Sequence, residues 1–100
     1  MSARMGIFYE KAGKTIHIQL TGIFDGTSAE ELLSAINRNS QAAKKIVIHT
    51  NSLQSIHPYG QVLFTHKYPF LKKDSVKMII TGKNRDKMIP KRNEPSWVNI

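Results

Sequence analysis

The sequence predicts a single α/β domain with the order β-β-α-β-α-β, a mixed sheet and helices packed on one of its faces. Three observations carry this expectation. Residues 15–21 alternate strictly, with Ile16, Ile18 and Leu20 on one side and Thr15, His17, Gln19 and Thr21 on the other. That period of two belongs to a strand with one buried face. Ala29, Leu32, Leu33 and Ile36 then recur at the i, i+3, i+4, i+7 spacing of an amphipathic helix. Finally, the stretch from Lys45 to Phe64 opens as an apolar strand, passes through a polar turn and enters a second helix at Pro58.

Each element has a local reason. Gly6-Ile-Phe-Tyr-Glu-Lys11 reads as a short strand that turns at Ala12-Gly13-Lys14, so it pairs with the alternating strand as an antiparallel hairpin. Gly22 to Gly26 breaks the alternation. Thr27 with Glu30, or Ser28 with Glu31, has capping-box spacing, and the acids fall where the helix dipole favours them. Asn37-Arg-Asn-Ser40 ends this helix. Ile46-Val47-Ile48 is apolar on both parities, as a central strand should be.

Pro58 suits the first position of the second helix, where its missing N–H would have no partner anyway. Tyr59, Val62, Leu63 and His66 share one face of that helix, and Pro69 stops it. Val76, Met78 and Ile80 alternate along a last strand closed by Gly82. The expected division is a domain over residues 1–82 and a basic tail over 83–100, with Trp97-Val98 as a candidate edge strand or docked end.

Composition narrows the function classes. One hundred residues make one core. With no cysteine there is no disulfide framework, thiolate chemistry or thiolate metal site. No apolar run reaches the ~18–20 residues that cross a bilayer, and the first residues lack the apolar core of a signal peptide. A cytoplasmic location is the default expectation. Charge is uneven: residues 1–65 hold six basic and four acidic groups, residues 66–100 nine and three. A basic C-terminal third with Tyr68, Phe70 and Trp97 keeps a nucleic-acid-binding domain as the alternative to a protein-interaction module.

Leu20-Thr-Gly-Ile-Phe-Asp25, a capped helix, Ile46-Val-Ile48 and a polar loop ending in Tyr59-Gly60 before a helix together resemble the STAS domain over residues 14–82. That is the fold of bacterial anti-sigma-factor antagonists and of the cytoplasmic tails of sulfate transporters. In the family, the loop before the second helix commonly reads Asp-Ser-Ser/Ala-Gly, and a partner kinase phosphorylates a serine there. This chain has His57-Pro58-Tyr59-Gly60 at those positions. Gly60 matches, His57 stands for the acid, and Pro58 stands for the serine. Pro58 has no hydroxyl, so the resemblance implies the scaffold without its phosphoswitch at that position. His49 likewise replaces the family's strand-end acid.

Candidate site residues follow from the helix start, where free N–H groups and the dipole attract anions or a partner. Phe24, Asp25, Ser55, His57, Pro58, Tyr59, Gly60 and Gln61 form the expected partner-binding edge, presented by the loops at Phe24–Gly26 and Ser55–Gln61. Two of them also have plain structural readings. Asp25 can hold its turn by bonding local N–H groups, and Tyr59 can be core. Ser52 and Ser55 are the neighbouring hydroxyls. Of the four histidines, His49 and His57 are expected to meet at the shared edge. No carboxylate or thiolate is spaced to complete a metal site with them. No nucleophile has both a base and an orienting acid nearby. The chain therefore reads as a non-enzymatic regulatory module without a cofactor, acting on another protein.

Overall fold

β2 (Thr15–Phe24) shows how the sheet divides its two faces. Ile16, Ile18, Leu20 and Phe24 are buried, whereas the alternate positions His17, Gln19 and Thr21 are not. The computed structural model describes residues 5–67, 76–88 and 98–99. β1 (Gly6–Ala12) pairs antiparallel with β2 in the register Gly6–Thr21 to Ala12–Thr15. β3 (Lys45–Ile56) lies parallel to β2 on its other side. β4 (Lys77–Thr81) and β5 (Val98–Asn99) continue the sheet in parallel, so the strand order equals the chain order. Val98 thus stands in an edge strand, while Trp97, Tyr68 and Phe70 lie outside the described residues.

α1 (Gly26–Asn39) buries Ala29, Leu32, Leu33 and Ile36, the predicted stripe. Its cap differs from the expected box. Asp25 is the N-cap: its carboxylate accepts the Ser28 N–H at 2.9 Å, so the acceptor precedes Thr27 and Ser28 in the chain. Ser28 serves as the donor, its hydroxyl also lying 2.8 Å from the Ile23 carbonyl oxygen. α2 (Pro58–Lys67) begins at Pro58 as predicted and packs beside α1. One apolar core joins α1, Phe64 of α2, the inward side chains of β2, β3 and β4, and Met88 at the end of the single turn α3 (Arg85–Met88). Burial of the larger aliphatic and aromatic side chains of this core, each contributing roughly 1.5–3 kcal/mol, is the main term holding the layers together.

β3 corrects the sequence reading in a second place. The segment expected to be a polar turn after Ile48 continues as strand to Ile56. Its register against β2 shifts between Gln19 and Thr21 and again between Gly22 and Ile23. Each shift inserts one residue into β3, which is a β-bulge. The polar side chains there have specific work. Thr50 is fully buried, and its hydroxyl donates to the Thr81 carbonyl at 2.9 Å. Asn84 donates to the carbonyls of Thr50 (2.8 Å) and Leu53 (3.3 Å). Asn51 accepts the Lys83 N–H at 2.6 Å. Gly82 turns the chain with φ +111°, and a Cβ on it would stand 2.6 Å from the Thr50 hydroxyl. The loop after β4 is thereby latched onto β3.

Candidate partner-binding edge

The end of β2 and the start of α2 are tied together by backbone. The His57 N–H donates to the Phe24 carbonyl at 2.8 Å. Gly60 then lies directly on the Asp25 backbone, where a Cβ would be 2.7 Å from the Asp25 carbonyl. Tyr59, one residue earlier, extends its ring over Gly26, where a Cβ would meet the ring at 2.6 Å. The two glycines let the Phe24–Gly26 and Ser55–Gln61 loops meet without a gap, and the result is one continuous edge.

The expected site residues divide on this edge. His57, Pro58 and Tyr59 are exposed, Tyr59 at 69%. Tyr59 is therefore not core. Val62, one turn on, is 51% exposed, so the face shared by Tyr59, Val62 and His66 looks outward. Gly60 and Phe64 supply the buried contact instead. A shallow groove of about 370 Å³ runs beside Tyr59, between Asp25, Gly26, Thr27, Glu30 and Leu63.

Phe24 departs from the expectation. It is fully buried and packs edge-on against Phe64, the ring centroids 5.9 Å apart, so it supports the edge from within. Asp25 is exposed, but its carboxylate is engaged as the α1 cap. The bonds from Ser28, backbone first, hold it below the usual carboxylate range, and the His57 charge adds to this. Gln61 is engaged too, donating its amide to the Lys87 carbonyl. Ser55 is exposed, but its register partner is Ile23, on the sheet face away from the helices.

The histidines also rearrange. His49 is not at a strand end, because β3 runs seven residues further, roughly 23 Å of strand. It meets His17 rather than His57. His17 Nδ1 and His49 Nε2 are 2.9 Å apart, with centroids 5.2 Å apart and planes within 20°. That centroid separation is about what two imidazoles joined end to end require, so this is an in-plane N–H···N bond rather than face stacking. Sequence spacing held no signal for it. Only the parallel register that sets Gln19 opposite His49 brings the two together. Among the described residues no group of three or more histidine, aspartate or glutamate side chains is arranged to hold a metal ion. No described helix is long and apolar enough to cross a membrane.

The mixed sheet, with α1 and α2 on one face and this β3–α2 junction at its end, is the STAS fold. The chain is similar in structure to the anti-sigma factor antagonist SpoIIAA in its unphosphorylated form, with a TM-score of 0.64 and 18% identity over 95% of this chain and 88% of that one. An anti-sigma factor antagonist from Mycobacterium paratuberculosis gives 0.62 and 19% over 90% and 88%. A segment of Mglu gives 0.67 and 22% over 78% of this chain, which spans only 20% of the length of that protein. No protein-family model matches the sequence, and no curated protein is significantly similar to it. The likeness is one of fold.

Proposed function

We propose that this protein is a non-enzymatic regulatory module of the cytoplasm that captures another protein through its α2 edge. The observation that carries the reading is Tyr59. It is a large aromatic ring, 69% exposed, held over Gly26 beside a groove on an edge whose backbone is locked. Exposed aromatics on a rigid support are what anchor protein interfaces. The anti-sigma factor antagonists that share this fold support a partner of the regulator class. Phosphate cannot be placed at Pro58, so capture would be set by partner concentration and surface fit, not by a switch at that position. His57, Pro58 and Tyr59 contact the partner, Asp25 and Gln61 shape the loops, and Phe24 and Gly60 hold them.

The test compares the protein with its His57→Ala/Tyr59→Ala variant as bait, followed by titration of the purified partner against both. The expected result is loss of capture with an unchanged melting temperature. Equal affinity for both proteins would overturn the proposal.

A further inference from the structure

The face of the sheet turned away from α1 and α2 carries its own set of side chains. On it stand Phe8 of β1, His17 and Gln19 of β2, and His49 of β3, around a hollow of about 650 Å³. Phe8 is 60% exposed. No described helix covers this face. At one end of this face two lysines from separate segments stand side by side. Lys45 and Lys77 are register partners at the starts of β3 and β4. Among the described residues, neither is paired with a carboxylate.

We propose that this open face binds single-stranded nucleic acid, with bases stacking on Phe8 and phosphates held by Lys45 and Lys77. Like charges facing across neighbouring strands cost stability, and an anionic ligand would offset that cost. An exposed ring on an open sheet, next to uncharged hydrogen-bonding groups such as Gln19 and Ser52, is how four-stranded sheets stack two or three unpaired bases. Across β1 to β4 the distance is about 14 Å, which fits that number of bases. Among the described residues Glu10, opposite His17, is the one acid on the face. It directs the phosphates to the β3–β4 side, where the lysines are. A bilayer would use the charges but leave the hollow and its polar groups without a role. This surface is separate from the α2 edge.

Fluorescence anisotropy with short mixed-sequence RNA and DNA oligonucleotides tests it, using single strands and duplexes over a salt series. Single strands should bind more tightly than duplexes, with an affinity that falls by a slope of about 0.7 per phosphate contacted. The Lys45→Gln/Lys77→Gln variant should reduce that slope by about 1.4. Phe8→Ala should weaken binding about tenfold and leave the slope unchanged. His57→Ala/Tyr59→Ala should have no effect. All the substituted side chains are wholly or partly solvent-exposed, and melting curves confirm folding. Equal binding of duplex, indifference to Phe8→Ala, or binding to phosphatidylserine vesicles but to no oligonucleotide would each overturn the proposal.

Discussion

Gly60 and Asp25 touch through their backbones: a Cβ added to Gly60 would stand 2.7 Å from both the carbonyl carbon and oxygen of Asp25. That contact joins the first turn of α2 to the residue that caps α1. Gly60→Ala should therefore destabilise the fold by about 1–3 kcal/mol, as overpacking does, although alanine gains roughly 1 kcal/mol in helix propensity. Urea unfolding measures the net loss. Partner capture should weaken as well, since Tyr59 would be displaced from Gly26.

The His17–His49 bond makes stability depend on acid. Burial first, and the His17 charge second, hold His49 below the ordinary histidine range. With the folded pKa depressed, the unfolded chain binds more protons between the two values, and stability rises with pH there. The full contribution is present above about pH 6.5 and is lost as the pH falls below it. A second proton on the pair would also set two N–H groups against each other. Glu10, the register partner of His17, is the charged group facing the pair from β1. Unfolding free energies measured from about pH 8 down to about pH 5 should fall for the native protein and vary less for His49→Gln.

The α1 cap gives a prediction of known size. Asp25→Ala removes the acceptor of the Ser28 N–H and should cost about 0.5–2 kcal/mol. Because the Asp25 pKa is lowered by those bonds, the cap is intact above the ordinary aspartate value and fails as the pH drops through the folded one. Thermal melts of the two proteins should therefore differ at neutral pH and converge in acid.

Where one face of an element is buried and its period unbroken, the chain announces its structure, as in β2 and in the stripe from Ala29 to Ile36. β3 is legible only to Ile48. Beyond it, Thr50, Leu53 and Ile56 all belong to the inward face, yet they are three residues apart because each bulge adds one residue. The alternation that marks a strand is thereby erased, and polar residues that serve the β4–α3 loop look like a turn. In α2, apolar residues occur on two faces, and only packing shows that Gly60 and Phe64 are inside while Tyr59 and Val62 are not. The meeting of the Phe24–Gly26 and Ser55–Gln61 loops is legible because Pro58 and the capped start of α1 mark them. The histidine pair and the Lys45–Lys77 pair are not, since each is assembled by register between distant strands.

The latch between β3 and the loop after β4 yields the last prediction. Asn84 is buried and donates its side-chain amide to two β3 carbonyls, those of Thr50 and Leu53. Its own N–H donates to the Thr50 hydroxyl at 3.2 Å, which in turn donates to Thr81. Removing either partner leaves buried polar groups without hydrogen bonds, at about 1–3 kcal/mol each. Asn84→Ala and Thr50→Val should thus each destabilise by that amount. Because both belong to one network, their double variant should lose less than the sum, with a coupling of about 0.5–3 kcal/mol. A double-mutant cycle by denaturant unfolding measures it. Strict additivity would mean that the two side chains act independently and do not form one network.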